Sequence, residues 1–365
     1  MAAGRCRGCA GDELATVLDL GRVAAADHFP PATAPVDEPR HALRMDLCAA
    51  CGLAQLAEDD TGAEEPRGVE PRALREQAAE AVASVAADGL LRGATVREFG
   101  SPHGGSWLPL LTARGLTEVG GRADIVLDCF GIMHEPDQQA AFLERAAATE
   151  PDGTLLIQYH SLATIVSARQ WNALRHGHFA YYSLAALRRL LRDAGMSVTT
   201  AWRFELYGGT VLIAARHGRH EPGAAVRTVL DDEAAYITPV AAQALQRAAT
   251  RHATQLRNWL TAMTEKGHRI YAYGAASRAV AVFESAGLHR GLITAVADAS
   301  PAKHGRRMPG TDIPIITPDE LDTAAPDFVL LMLPDLFPEV SASLPRLAER
   351  WVIDGPGGPE PSPIA

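Results

Sequence analysis

The sequence predicts an α/β protein in three folded parts: a small metal-stapled N-terminal module, an abbreviated Rossmann-type domain, and a second Rossmann-like domain towards the C-terminal end. Three observations predict it. Two Cys-x-x-Cys pairs lie within residues 1–56. Two later stretches each open with an apolar strand that runs into a turn of small residues and then a helix. A long helical stretch separates those two starts. A chain of 365 residues suits two or three domains, at roughly 100 to 200 residues each.

Residues 1–56 carry Cys6/Cys9 and Cys48/Cys51 among turn-forming and short apolar segments such as TVLDLGRV. A region this small and rich in Gly, Ala and Pro gains little from its own core, so a metal staple is physically reasonable. The acidic, proline-broken stretch AEDDTGAEEPRGVEPR reads as a linker. Residues 71–218 then alternate: a helix at 73–90, the strand ATVREF, the turn Gly100–Gly105, a helix in SWLPLLTARG, the strand ADIVLDC, the helix QQAAFLERAAA, the strand TLLIQY, a helix at 184–194, and the strands MSVTTAW and TVLIAA. This order predicts a mostly parallel sheet covered by helices. Residues 224–266 are helical with a break at Pro239 and bridge to a second α/β unit at 267–355, built on HRIYAYG, ITAVAD, DFVLLML and WVIDG. The tail PGGPEPSPIA reads as disordered.

Lys and Arg number 34 against 44 Asp and Glu, a formal charge of −10. That balance excludes a broad electrostatic grip on nucleic acid. Apolar runs stop short of the roughly 20 residues that a bilayer requires, and no signal-peptide core is visible, so a cytoplasmic protein without membrane partners is expected.

The cysteine quartet is the most specific chemical signal. Each Cys-x-x-Cys knuckle brings two thiolates to one ion, and two knuckles close a tetrahedral shell suited to Zn²⁺. A closed shell leaves no position for water, so Cys6, Cys9, Cys48 and Cys51 are expected to hold a structural zinc that takes no direct part in a chemical step. Cys129, ending an apolar strand, reads as core. The turn containing Gly100, Ser101 and Gly104 sits where a doubly wound sheet presents helix N–H groups to a ligand. In Arg175-His-Gly-His-Phe-Ala-Tyr-Tyr-Ser183, His176 and His178 are candidate general bases, with Tyr181 or Tyr182 as a polar partner; solvent-facing loop histidines are the alternative. His134 and His160 follow strands and belong to the same sheet edge. In the last unit, Tyr273, Gly274, Ala275 and Arg278 form a strand-to-helix turn with a cation beside it. Asp298 follows the next strand, as in a nucleotide cradle.

The order of these features resembles the deoxysugar C-methyltransferases of antibiotic biosynthesis: paired cysteines, glycine turn, MHEPD, HGHFAYYSL, YGGTVLIAA, YGAASR and ADASPAKHGRRMPGTDIPIITPDEL. The resemblance implies an N-terminal zinc module, a central S-adenosylmethionine domain and a Rossmann-like C-terminal domain. It also implies a nucleotide-linked 4-keto sugar as substrate, deprotonated beside its ketone and then methylated. The family's Tyr-His-Glu-His-x-x-Tyr-x-Ser element falls on Arg175, His176, Gly177, His178, Tyr181 and Ser183, which makes His178 the counterpart of the base. Its His-Gly-Gly-Ser falls on Tyr207, Gly208, Gly209 and Thr210. His134 and Asp137 keep their places. Gly100, Ser101, Gly104 and His134 are thereby expected on the methyl-donor side. Arg175, Tyr273, Gly274, Ala275, Arg278, Asp298 and Lys303 are expected on the substrate side.

The chain departs from that pattern at the donor. Only SWLPLLTARGLTEVGGRA separates Gly105 from Asp124, and a helix of about ten residues with its turns leaves no room for a further strand-helix-strand to carry the acidic ribose ligand. Glu118 is the remnant candidate. Three readings stay open: a C-methyltransferase with a shortened donor site, a donor-independent enzyme that epimerises, eliminates or rearranges a keto substrate, and a non-catalytic binding protein.

Overall fold

The computed structural model describes residues 4–62, 70–102 and 104–361. Residues 63–69 of the expected linker, His103 of the glycine turn and the last four residues of the tail lie outside the described residues.

The N-terminal module is an antiparallel meander of β1 (Leu14–Ala24), β2 (Arg40–Cys48) and β3 (Ala54–Leu56). Leu43, Met45 and Leu47 alternate along β2 and are all buried, the period of a strand with one face in a core.

The central unit begins with α1 (Arg72–Ala87), which buries Ala78, Ala81, Val82 and Val85 at helical spacing. Then come β4 (Thr95–Phe99), α2 (Leu108–Thr112), β5 (Thr117–Glu118), β6 (Ala123–Cys129), α3 (Gln138–Ala148) and β7 (Thr149–His160). They are followed by α4 (Leu162–Ser167), β8 (Ala180–Tyr181), α5 (Leu184–Asp193), β9 (Met196–Phe204) and β10 (Thr210–His217). The sheet order is β5-β4-β6-β7-β10-β9. Its first four strands are parallel, but β10 runs antiparallel to both β7 and β9. The sheet is thus mostly parallel, as expected, with β10 the one reversed strand, because the short connection 205–209 permits only an antiparallel return. α2 is shorter than the expected helix over 106–115: Gly115 takes a φ of 92° that ends it. The length saved admits β5, a two-residue strand that the sequence reading did not foresee.

β8 leaves the central sheet and pairs with β3, completing a four-stranded sheet β1-β2-β3-β8. The segment carrying the candidate histidines thus hangs from the cysteine module.

The bridge consists of α6 (Ala224–Glu233), α7 (Pro239–Ala242) and α8 (Ala244–Glu265). The last unit comprises β11 (Ile270–Tyr273), α9 (Ser277–Ser285), β12 (Val296–Ala297), β13 (Ile315–Ile316), α10 (Pro318–Ala324), β14 (Phe328–Leu331), α11 (Phe337–Ser343), β15 (Trp351–Gly355) and β16 (Gly358–Pro361). Its order is β13-β12-β11-β14-β15-β16, parallel except for β16. The tail expected to be disordered is thus an edge strand as far as Pro361. One buried chain of hydrogen bonds locks bridge and units together: Trp171 Nε1 donates to His252 Nδ1 at 3.1 Å, and His252 Nε2 lies 2.7 Å from Asp354 Oδ1.

Candidate functional site

The two cysteine knuckles converge. Cys6 and Cys51 Sγ are 3.5 Å apart, Cys9 and Cys48 Sγ 3.6 Å, and all four lie within 4.8 Å of one another. A tetrahedron with Zn–S bonds of about 2.3 Å has edges of about 3.8 Å, so the quartet fits such an ion. It is the one group of this kind among the described residues. Cys129 stands apart, its thiol held well above the usual range by burial.

The second feature is a cavity of about 580 Å³ between the central and last units. From the central sheet it receives Ser101 and Gly104 after β4, Phe130 and Met133 after β6, and His160 at the end of β7. Arg175, His178 and Tyr181 enter from the loop before α5, and Tyr207 from the β9–β10 connection. The last unit contributes Tyr273, Gly274, Ser277, Arg278, Asp298 and Lys303. The parallel strands point their carboxyl ends at this space, the place where open α/β sheets bind ligands.

Local sequence explains why each side chain arrives. Asp128, buried at the end of β6, accepts hydrogen bonds from the N–H groups of Gly131 (2.9 Å) and Ile132 (2.8 Å) and from Arg145 Nε (3.0 Å). It thereby bends the chain into the segment that carries Phe130 and Met133. Phe130 itself sits at φ 61°, a left-handed conformation that surroundings must enforce. Asp137 accepts from Ala140 N and caps α3. Tyr207 is a second left-handed residue, φ 57°, and its carbonyl accepts from Gln170 Nε2. At the last unit Gly274 takes φ 99°, and a side chain there would press on Leu333.

Residues 176–177 form a turn, with Gly177 at φ 76° and His178 N donating to Arg175 O at 3.4 Å, and this turn sends the two histidines in different directions. His178 faces the cavity. Its Nε2 accepts from Arg175 Nε at 2.7 Å, and its ring lies edge-on to His134 with centroids 4.4 Å apart. Tyr181 OH accepts from Arg175 N and donates to Ala173 O. His176 faces the other way. It is fully buried against the N-terminal sheet, its Nε2 3.2 Å from Ala42 O, so it does not reach the cavity as expected of a base. Tyr182 likewise turns inward and donates to Gln138.

Burial pushes His160 down to about 3, aided by the positive charge of Arg278, so this imidazole stays neutral. Arg278 is lowered by burial and by repulsion from Arg175. Asp298 lines the cavity but spends both oxygens on backbone, Oδ2 accepting from Ala275 N and Oδ1 from Ser300 N, each at 2.8 Å. Lys303 Nζ donates to Ala275 O and sits 4.9 Å above the Phe29 ring. Ala275 therefore anchors the turn from outside the lining, and Gly100 and His134 also stand behind it rather than in it.

Sequence reasoning missed Glu98, whose carboxylate accepts from Ser106 Oγ and Trp107 N and closes the loop after the glycine turn. An acid two residues before Gly100 was the available signal. It also missed Asp128, signalled by an acid near the end of an apolar strand. For a methyl donor, Ser101, Gly104, Phe130 and Met133 offer a wall to the methyl-bearing half. On the ribose side, Glu118 of β5 is exposed and lies outside the cavity lining.

Three family models match consecutive parts of the chain: a zinc-binding domain over residues 6–61, a methyltransferase domain over 116–201, and a C-methyltransferase C-terminal domain over 205–352. The three descriptions, in this order, are those of a zinc-binding, a methyltransferase and a C-methyltransferase C-terminal domain. The chain is 28% identical over 216 residues to C-methyltransferase NovU of Streptomyces niveus, covering 58% of its own length and 51% of the relative. It thus spans about half the length of the curated relative it matches. Among solved structures, the magnesium protoporphyrin IX methyltransferase of Synechocystis PCC 6803 superposes with a TM-score of 0.32 at 15% identity, over 40% of this chain and 84% of that one. The CcbJ methyltransferase of Streptomyces caelestis gives 0.28 at 15% identity, over 43% and 94%. At that level neither fixes function. No helix among the described residues is long and apolar enough to cross a membrane.

Proposed function

We propose that the chain methylates a carbon beside the ketone of a small molecule, a nucleotide-linked deoxysugar of natural-product biosynthesis, using S-adenosylmethionine, with zinc held structurally by the cysteine quartet. The observation that carries the reading is the shared cavity: the glycine-turn edge, His178 and the nucleotide-type cradle of the last unit open into one space. His178 is the base that removes the proton beside the ketone. Neutral His160 and the Tyr207 hydroxyl are donors placed to steady the enolate oxygen as charge develops. Ser101 and Gly104 would hold the donor, backed by Gly100 and His134. The chemistry that bound S-adenosylmethionine supplies is an electrophilic methyl group. Tyr273, Gly274, Arg278 and Lys303 hold the substrate, with Ala275 and Asp298 fixing the turn beneath it. Calorimetric titration with S-adenosylmethionine and its demethylated product should show saturable binding, and incubation with a nucleotide 4-keto sugar a product heavier by one CH₂. Absence of donor binding would sink the reading.

A second reading draws on the short outer edge of the central sheet. With β5 only two residues long and Glu118 exposed, the same deprotonation can serve epimerisation or elimination without a donor. Its signature is solvent-deuterium exchange into the substrate by donor-free protein, lost in His178→Ala.

A further inference from the structure

Two cavity residues hold a backbone conformation that side chains seldom adopt. Phe130, after β6, has φ 61° and Tyr207, between β9 and β10, has φ 57°; among the described residues these are the two left-handed positions other than glycine that line the cavity. Their rings meet edge-on with centroids 6.1 Å apart, and the His160 ring lies 6.4 Å from that of Tyr207. Each conformation is held from outside. Phe130 N donates to Gln158 O at 3.0 Å and the next two N–H groups donate to Asp128, while Gln170 Nε2 donates to Tyr207 O at 2.9 Å. Strain kept in two touching aromatic residues at a cavity wall points to a task for the rings.

Their position narrows the task. Phe130 stands against the glycine turn: a side chain on its neighbour Gly131 would come within 2.9 Å of Gly100 O. Tyr207 lies towards the other wall, where Arg278 and Asp335 of the last unit act on its hydroxyl. The pair therefore spans the seam between the donor edge and the substrate wall. In a methyl transfer the sulfonium and its methyl group must lie at that seam, in line with the attacking carbon. We propose that the rings of Phe130 and Tyr207 form an aromatic corner that holds this positive charge by cation–π attraction, so that the site separates the charged donor from its neutral demethylated product. This deepens the reading above and rests on it for the donor.

The charges around the corner permit this. The guanidinium groups of Arg175 and Arg278 act on Tyr207, and they are matched there by the carboxyls of Asp335 and Glu70. His160 supplies a third ring and no charge, since burial holds it neutral. The Tyr207 side chain then has two separate parts, a hydroxyl for the enolate oxygen and a ring for the sulfonium. Loss of the methyl group leaves a neutral thioether, and the attraction of the rings goes with the charge. Release of the spent donor is favoured over its retention.

The test is calorimetric titration of full-chain, zinc-loaded protein with S-adenosylmethionine, with its neutral demethylated product, and with sinefungin, which carries an ammonium at the sulfonium position. The two cations should bind about tenfold more tightly than the neutral product. Tyr207→Leu and Phe130→Leu should each erase most of that ratio while leaving the affinity for the neutral product within about threefold. Tyr207→Phe, which keeps the ring and loses the hydroxyl, should preserve it. Wild-type protein that binds the neutral product as tightly as both cations overturns the proposal, and that result needs no variant to fold. A ratio that survives both leucine variants overturns it too. Binding of none of the three ligands would remove the donor reading itself, and the proposal with it. No turnover enters these measurements, so their outcome stands apart from any failure of methyl transfer.

Discussion

The two walls of the cavity start from the same sequence device and end differently. In each, a strand runs into a turn of small residues and then a helix: β4 to Gly100–Gly105 to α2, and β11 to Gly274–Ala276 to α9. On the second wall the helix starts at once, runs nine residues and buries Ser277, Ala279, Val280, Ala281, Val282 and Phe283. Asp298 and Lys303, arriving after the neighbouring β12, clamp the N–H and C=O of Ala275. On the first wall the helix begins only at Leu108, lasts five residues and buries Leu111 alone. The neighbouring strand there is β5, whose Glu118 is exposed. Small residues specify a reversal of the chain; the grip on a ligand depends on what the next strand delivers.

The comparison is sharpest at the element that belongs to neither wall. Loop 175–182 is held by the cysteine module: β8 pairs with β3, Gly177 N donates to Asp59 Oδ2 at 2.6 Å, and Leu56 N donates to Phe179 O at 3.3 Å. Structural zinc in small modules contributes on the order of 10 kcal/mol to their folding, so removing it should be the largest perturbation available. Chelation should expose the amides of β1, β2 and β3 to hydrogen exchange and, with them, those of residues 177–181. Substrate turnover should fall with the second group and return with added zinc. Continued protection of 177–181 in metal-free protein would mean that the loop is held by the two walls instead.

Next in size is the clamp itself. Asp298→Ala strands two backbone N–H groups, at about 1–3 kcal/mol each, and should weaken binding of the proposed nucleotide-linked substrate by tenfold or more in a calorimetric titration. The matching change on the other wall, Ser101→Ala, should cost less than tenfold for any ligand. If Ser101→Ala proves the more damaging of the two, the ranking of the walls is reversed.

Legibility in the sequence follows how local each cause is. The cysteine quartet was readable because each knuckle is set by spacing alone. α3 matches its expected span, Gln138–Ala148, because its periodicity and the Asp137 cap both lie within the segment. β8 was not readable: two residues carry no pattern, and their partner, β3, lies far away in sequence. The opposite facings of His176 and His178 were not readable: an extended chain would put residues two apart on one side, and it is the turn at Gly177, with the N-terminal sheet accepting His176, that parts them. β16 defeated a compositional argument, since Gly and Pro suggest disorder but here form the turn and edge of a hairpin on β15. The bond between Arg175 and His178 joins side chains three residues apart and still gave no signal, because it depends on which way both point.

The smallest expected effect tests the weaker wall from within. Burial, with smaller contributions from Glu118 and Glu70, holds the Glu98 carboxyl above its ordinary value despite hydrogen bonds from Ser106 and Trp107. A carboxyl raised in the folded state favours folding in its protonated form. That contribution is complete below the unfolded glutamate range and is lost as pH rises through the folded value. Glu98→Gln removes this titration while keeping one acceptor for Trp107 N. Its melting temperature relative to the parent should therefore rise from acidic to neutral pH, by a few degrees at most. A difference that stays flat between pH 4 and 8 would show that water reaches Glu98. The loop after the glycine turn would then be open rather than closed, and the first wall would be softer still than its hydrogen bonds imply.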